Sequence, residues 1–130
     1  MTQKLLLDTC AFLWFVRDDP ALSDKARDLI RNPKNLVFLS SVSVWEMTVK
    51  HGLGKLSLAD LPHIYIPTER LKHEIESLPL VEKAVSRLED LPSHHKDPFD
   101  RMLICQAIEH DMTILTCDGL IVQYPVKTVW

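Results

Sequence analysis

The feature that most restricts the fold is a run of three leucines, Leu5–Leu7, that ends at Asp8. A short continuous apolar run suits a strand buried on both faces at the centre of a parallel sheet, because a strand with one wet face would alternate polar and apolar residues. Leu36–Leu39 and Met112–Thr116 are further strand candidates, and Val126–Val129 predicts a short last strand. We therefore expect an α/β domain around a mostly parallel sheet.

Segments with helical periodicity separate these strands, and Ser, Pro and Gly mark where several of them begin or end. Residues 56–67, which include Pro62 and Pro67, are predicted to be a connection. Strands that alternate with helices predict helices on both faces of the sheet and a single domain over residues 1–130. In chain order, the predicted helices are residues 11–19, a helix capped by Ser23, a helix from Ser41–Ser43 to Gly52, residues 68–78, residues 80–90, and a helix that starts at Pro98.

Composition limits the class of protein. With 130 residues, 46% of them hydrophobic, the chain can bury one core. Its net charge of −3 argues against a protein that coats nucleic acid through clustered Lys and Arg, but an acidic site attracts phosphate once it holds a cation. Scattered cysteines favour the reducing cytosol, and no apolar run approaches the roughly 20 residues of a membrane span. We therefore expect a cytoplasmic protein that does not enter membranes.

Two of the predicted strands lead into an aspartate, Asp8 after the first and Asp118 after Met112–Thr116. In parallel α/β sheets, ligands bind beyond the carboxyl ends of the strands, so both side chains are expected at the same edge. Each aspartate alone is also explained as the start of a turn or the cap of a following helix. The occurrence of two at one edge favours a functional site.

Glu46 is the third candidate, and it also has a structural explanation. Ser43 and Glu46 match the S-x-x-E capping box, in which the glutamate bonds back to the backbone of the cap, and Lys50 can pair with Glu46 one turn later. The position nevertheless lies in the first turns of a helix that follows a strand. This places Glu46 at the same sheet edge as the two aspartates.

Asp97 and Asp100 flank the start of the helix at Pro98, and they are predicted to face different ways. Asp97 is a natural N-cap. Asp100 precedes Leu103 and Ala107 by three and seven positions, so it heads the apolar face that packs against the sheet. A carboxylate directed at a core edge is costly unless it is paired or binds metal. We therefore assign Asp100 to the site and Asp97 to the cap.

Four carboxylates that converge without matching cations would repel one another, and hard divalent cations relieve that repulsion. Oxygen ligands suit Mg²⁺ or Mn²⁺, and no His or Cys spacing indicates structural zinc. The sequence thus predicts a divalent-metal site.

Six segments stand in the chain in this order: Leu5–Thr9, Ser43–Glu46, Lys50, Gly52–Leu56, His94–Arg101 and Thr116–Asp118. In their order and spacing they resemble PIN-domain ribonucleases, and among them the VapC-type toxins of bacterial type II toxin–antitoxin pairs. The similarity extends over essentially the whole chain.

The resemblance implies a three-layer α/β/α fold, Mg²⁺- or Mn²⁺-dependent cleavage of RNA, neutralisation by a cognate antitoxin protein, and self-association as a homodimer. It places the family's catalytic and metal-binding acids at Asp8, Glu46, Asp100 and Asp118. Thr9 and Thr116 become polar neighbours of these acids. Similar sequences often carry His in place of Cys10 and Arg in place of Cys117, and neither departure removes an acidic ligand.

The expected reaction is hydrolysis of an RNA phosphodiester, with metal held chiefly by Asp8 and Asp100; the sequence leaves open whether one or two ions bind. A phosphatase with Asp8 as nucleophile is a rival, disfavoured because Cys10 stands where such an enzyme needs a second aspartate. A PIN-like module that only binds RNA or a partner protein is the other alternative. Metal-dependent cleavage of RNA would distinguish the ribonuclease from the phosphatase and from the binding module.

Other polar and aromatic residues receive weaker assignments. His94 and His95 are given no catalytic role, because a polar loop before the helix explains them. Cations that either hold the RNA backbone or are ordinary solvated charges are Lys50, Lys55, Lys96 and Arg101. Aromatic residues assigned to core packing rather than base stacking are Trp14, Trp45 and Phe99.

Overall fold

The computed structural model describes residues 2–130, and within them the chain forms a parallel sheet flanked by helices. The elements alternate along the chain much as the sequence predicts. In order they are β1 (Lys4–Leu7), α1 (Thr9–Val16), α2 (Asp24–Arg31), β2 (Leu36–Ser40), α3 (Ser41–Gly52), α4 (Pro62–Lys72), β3 (Glu76–Leu78), α5 (Glu82–Ser86), a 3₁₀ helix (Arg87–Asp90), α6 (Pro98–His110), β4 (Thr113–Leu115), α7 (Gly119–Val122) and β5 (Thr128–Val129).

The sheet has the strand order β3-β2-β1-β4-β5, and every pairing among the described residues is parallel. The leucine run is the central strand. Leu6 lies opposite Phe38 of β2 on one side and opposite Ile114 of β4 on the other. The prediction of a central parallel strand is confirmed, and all strands end at the same edge of the sheet.

The leucines of β1 alternate between two separate hydrophobic clusters. Leu5 and Leu7 pack in the cluster that contains Phe12 of α1 and Ile66 of α4. Leu6 belongs to the other cluster, with Leu103, Ile104 and further residues of α6. All three leucines have no exposed surface. Because successive side chains of a strand point to opposite faces, this division gives the three-layer α/β/α arrangement that was expected.

Several helix starts follow the predicted chemistry. The Ser23 side chain accepts a hydrogen bond from Ala26 N and caps α2. Asp97 accepts from the backbone N–H groups of Phe99 and Asp100, and Pro98 is the first residue of α6. These contacts satisfy N–H groups that have no partner within the helix.

The region 56–78 was predicted only in part. Residues 68–78 were expected to be a helix after a connection over 56–67, but α4 begins at Pro62 and ends at Lys72, and residues 76–78 form strand β3. Pro62 occupies the first turn, where it costs no hydrogen bond, and the helix continues through Pro67 beside the buried Ile66. The short strand is specified by its pairing with β2 and not by its own sequence.

No helix within residues 2–130 is both long enough and apolar enough to cross a lipid bilayer.

Candidate metal centre

The four predicted acids come from four different parts of the chain and line one cavity of about 260 Å³ at the carboxyl edge of the sheet. Asp8 follows β1, Glu46 lies on α3, Asp100 lies on the first turn of α6, and Asp118 precedes α7. The remaining lining residues are Thr9, Cys10, Trp14, Lys50, Asp97 and Cys117. The structure thus brings together the residues that the sequence analysis selected.

Asp8 is buried and is held through both carboxylate oxygens. Oδ1 accepts a hydrogen bond from Ala11 N at 2.7 Å, which makes Asp8 the N-cap of α1, and Oδ2 accepts from the Thr116 hydroxyl at 2.5 Å. Asp8 is therefore a helix cap and also lines the cavity. Burial raises the pKa of Asp8, and the Thr116 hydrogen bond opposes that rise.

Glu46 does not form the capping box that its spacing with Ser43 indicates. The helix begins earlier, with Ser40 as the N-cap whose hydroxyl accepts from Val42 N. Glu46 is only 4% exposed; its Oε1 accepts from the Thr9 hydroxyl at 2.6 Å and its Oε2 from Lys50 Nζ. Glu46 thus lines the cavity and does not cap the helix.

Asp118 caps α7 through Oδ1, which accepts from Leu120 N at 2.9 Å. Its own N–H donates to the Thr116 hydroxyl oxygen at 3.0 Å, so Thr116 connects Asp118 to Asp8. Its Oδ2 accepts from His95 Nε2 at 3.2 Å. Thr116 and Thr9 were both expected as polar neighbours: Thr116 contacts Asp8 and Asp118, and Thr9 contacts Glu46.

Asp100 differs from the other three acids. Its side chain is 17% exposed, and no residue of the described part of the chain donates it a directed hydrogen bond. His95 Nε2 lies 3.0 Å from Asp100 Oδ2, but its hydrogen bond is directed at Asp118. Burial, together with the negative charges of Asp97 and Glu46, raises the pKa of Asp100 to about 7. A nearby cation would favour the ionised form of this carboxylate.

The carboxylate oxygens of the cavity suit a hard divalent cation as ligands. Each carboxylate offers about four lone-pair positions, and the hydrogen bonds of Asp8, Glu46 and Asp118 leave some of them available, while Asp100 keeps nearly all. Oxygen atoms are the ligands that Mg²⁺ and Mn²⁺ prefer. A bound cation would also relieve the repulsion that raises the pKa of Asp100. We conclude that the residues present can hold such an ion.

A family comparison agrees with this architecture. The sequence matches the PIN domain family over residues 5–126. The chain belongs to the PIN domain family. A search of curated protein sequences finds no match to this PIN domain.

Solved structures with the same fold include toxin–antitoxin complexes. VapBC2 from Rickettsia felis, bound to a DNA fragment from its promoter, aligns with a TM-score of 0.72 at 15% identity over 98% of both chains. FitAcB from Neisseria gonorrhoeae aligns at 0.62 and 19% identity over 97% of this PIN domain and 96% of that chain. DNA-bound VapBC from Salmonella typhimurium aligns at 0.64 and 17% identity over 98% and 97%. At these identities the similarity establishes the fold.

His95 is the residue of this PIN domain that the sequence analysis missed. It was assigned to a polar loop, yet its side chain is only 11% exposed and its Nε2 lies within 3.2 Å of two of the four acids. The ligand atoms of His95, Asp100 and Asp118 all lie within 4.8 Å of one another. Its position two residues before Asp97, the N-cap of the acidic helix, was the available signal.

The structure changes the expected roles of some aromatic and basic residues. Trp45 was expected in the core but is 58% exposed and contacts Phe99 edge to face, with ring centroids 4.9 Å apart.

Arg101, a candidate for holding RNA, instead donates a hydrogen bond to the loop carbonyl of Pro92 at 2.9 Å. Lys50 pairs with Glu46 but keeps a side chain 45% exposed at the cavity. Of the candidate cations, Lys50 is the one that lines the cavity.

The two unusual cysteines lie on the wall of the cavity. Burial and the nearby charge of Asp8 raise the pKa of Cys10 to about 11, and burial also raises the pKa of Cys117. Both side chains are therefore neutral thiols near pH 7 and poor nucleophiles.

A larger cavity of about 490 Å³ lies elsewhere in the PIN domain, lined by residues such as Phe15, Arg31 and His73. It mixes positive, negative and apolar groups and contains none of the four clustered acids. The chemistry of the lining, and not the volume, makes the smaller cavity the candidate site.

Proposed function

We propose that this PIN domain is a divalent-metal-dependent endoribonuclease that hydrolyses RNA phosphodiester bonds, and that it is the toxin of a toxin–antitoxin pair. The observation that carries the proposal is the convergence of four carboxylates, one of them almost without hydrogen-bond donors, on one cavity. PIN domains of the VapC type are generally nucleases, which agrees with this chemistry.

In this proposal Asp8 and Asp100 are the principal metal ligands, and Glu46 and Asp118 complete the catalytic cluster. A bound Mg²⁺ or Mn²⁺ would supply Lewis-acid activation of water and stabilisation of charge on the phosphate. The protein's own part is to hold the acids against their mutual repulsion. The hydroxyls of Thr9 and Thr116 do this by donating to Glu46 and Asp8, respectively.

Lys50 has a second role in the proposed reaction. It forms an ion pair with Glu46 one turn away, which orients that carboxylate, and its partly exposed ammonium borders the cavity. A phosphate of the RNA backbone that enters the cavity would meet this cation. Such a contact gives affinity for the backbone without reading the base sequence.

Incubation of the purified protein with end-labelled single-stranded RNA tests the proposal. Cleavage should require Mg²⁺ or Mn²⁺, stop on addition of excess EDTA, and be absent from Asp100→Asn prepared in the same way. Undiminished cleavage in EDTA, or equal cleavage by the Asp100 variant, would contradict the metal mechanism.

The two alternatives predict different results, each with its own measurement. A binding module would retain RNA on a filter and leave it intact with either metal. A phosphatase would release inorganic phosphate from a small phosphomonoester and spare internal phosphodiesters. Both outcomes exclude the endoribonuclease.

We also propose a cognate antitoxin and a homodimer as the protein partners, in the cytoplasm. Support for the antitoxin comes from the fold shared with members of toxin–antitoxin systems. Support for self-association comes from an apolar stripe on α3, where Trp45, Val49 and Leu53 are 58%, 40% and 64% exposed. Residues spaced four apart share one helix face, and contiguous exposed apolar surface is typical of interfaces.

A further inference from the structure

We propose that His95 is a positioning residue of the acidic cluster, which holds Asp118 beside Asp100 by a hydrogen bond from Nε2 and does not bind the metal itself. The inference rests on the proposed function, since it concerns the same site. Its basis is the set of contacts made by the two ring nitrogens, which differ from those of a metal-binding histidine.

The hydrogen bond at Nδ1 determines the tautomer. Asp97 N donates to His95 Nδ1 at 3.2 Å, so Nδ1 presents a lone pair and carries no proton. In the neutral ring the proton is therefore on Nε2, which donates to Asp118 Oδ2 at 3.2 Å. A histidine that binds metal through Nε2 usually has a protonated Nδ1 that donates to a carbonyl or carboxylate. Here the backbone N–H of Asp97 excludes that arrangement.

The loop around His95 is tied to the rest of the domain at several points. The backbone N–H of His95 donates to the Tyr124 hydroxyl at 2.8 Å. Arg101 Nη1 donates to the carbonyl oxygen of Pro92 at 2.9 Å, and it also lies 3.3 Å from the Tyr124 hydroxyl. These bonds hold the main chain in the position from which the ring reaches Asp118 and Asp100 with Nε2.

The geometry has a consequence for metal preference. An imidazole ligand favours transition-metal ions over Mg²⁺, whereas a ligand set made only of oxygen accepts Mg²⁺ and Mn²⁺ alike. If His95 is a donor and not a ligand, its removal should weaken binding of both ions to a similar extent. The ratio of the two affinities is thus a readout of its role.

The first experiment records the nitrogen protonation of His95 by long-range ¹H–¹⁵N NMR on the metal-free protein at pH 8. The expected spectrum shows a proton on Nε2 and a bare Nδ1, with the assignment made by loss of the signals in His95→Gln. A proton on Nδ1, alone or together with Nε2, would overturn the proposal. This measurement does not depend on metal binding or on RNA cleavage.

The second experiment measures Mn²⁺ and Mg²⁺ affinity by calorimetry for the wild type, His95→Ala, His95→Gln and the surface control His63→Ala. Loss of the donor in His95→Ala should weaken both ions about 10–100-fold, as for other groups that orient metal ligands. The Gln amide can donate a hydrogen bond, so His95→Gln should recover most of the affinity with an unchanged Mn²⁺ to Mg²⁺ ratio. His63 is exposed on α4, and its variant should match the wild type.

Electron spin-echo spectra of bound Mn²⁺ complete the test. Coupling to an imidazole nitrogen in the wild type, absent from both His95 variants, would show that the residue is a ligand and would overturn the proposal. Equal affinities for wild type and His95→Ala would do the same. Conversely, if the NMR and metal-binding results are as expected but RNA stays intact, the proposed function fails and the role of His95 stands.

Discussion

Replacement of Asp100 by Asn should stabilise the metal-free protein, even though it should abolish metal-dependent cleavage. The carboxylate is largely buried, and the charges of Asp97 and Glu46 disfavour its ionised form. Asn has nearly the same volume, so the substitution removes the repelling charge without leaving a cavity. Its amide can also donate a hydrogen bond to a neighbouring carboxylate, which Asp100 cannot do when ionised.

The magnitude follows from the pKa of Asp100, which rises from 3.8 to about 7 in the folded protein. A difference of this size corresponds to about 4 kcal/mol of stability lost once the group is ionised in both states. Water reaches part of the side chain and screens some of the repulsion, so we expect Asp100→Asn to gain about 1–3 kcal/mol at pH 8.

The pH dependence has a definite sign. Because the folded protein binds the Asp100 proton more tightly than the unfolded chain, the group's favourable contribution is complete below about pH 4. It is lost as the pH rises towards 7. Asn cannot titrate, so the stability difference between the variant and the wild type should widen from pH 4 to pH 7 and then remain constant.

Urea denaturation in EDTA at pH 5 and pH 8, followed by tryptophan fluorescence, measures this difference. The control Asp28→Asn removes an exposed carboxylate from α2 and should change stability by no more than about 0.5 kcal/mol at either pH. A variant less stable than the wild type at pH 8, or a gain of equal size at both pH values, would refute the reasoning about Asp100.

Further predictions concern the metal, the cap, the threonine and the stripe. Added Mn²⁺ at about 100 times its Kd should stabilise the wild type by about 2.7 kcal/mol; an unchanged melting temperature would mean that the acids do not bind it. Asp97→Ala should lower the free energy of unfolding by about 0.5–2 kcal/mol while its folded fraction still cleaves RNA. Thr116→Val should cost about 1–3 kcal/mol at pH 8, because Asp8 loses a buried donor; equal stability would show that the bond is unimportant. Leu53→Asp should yield a monomer in light scattering if the α3 stripe is the dimer interface, and a dimer of unchanged mass would exclude that surface.

Local chemistry explains why much of the fold was predictable. The side chains of Leu5–Leu7 point to both faces of the strand and are all buried only if apolar layers cover both faces. This requirement places β1 at the centre of the sheet. Asp97 and Pro98 mark a helix start. Asp97 accepts hydrogen bonds from N–H groups of the first turn that have no partner within the helix, and Pro98 has no N–H that would need one. The convergence of the acids followed from topology, because parallel strands bring their carboxyl ends to one edge. Their catalytic role stays a prediction.

Contacts between distant segments decided what the sequence could not show. Glu76–Leu78 became a strand because β2 offers it a partner, and no periodicity in three residues could indicate that. Ser43 and Glu46 have the spacing of a capping box, yet Ser40 is the N-cap of α3. Glu46 accepts hydrogen bonds from Thr9 and Lys50 instead.

The sequence by itself determined the parallel sheet, most helix starts and the four acids, since each depends on short-range pattern or on strand order. Only the tertiary structure decided which carboxylate lacks hydrogen-bond donors and which histidine stands between Asp100 and Asp118. Hydrogen-bond partners such as Asp97 N with His95 Nδ1, or Thr116 with Asp8, depend on side-chain directions and burial. Those are properties of the packed chain, and no local pattern encodes them.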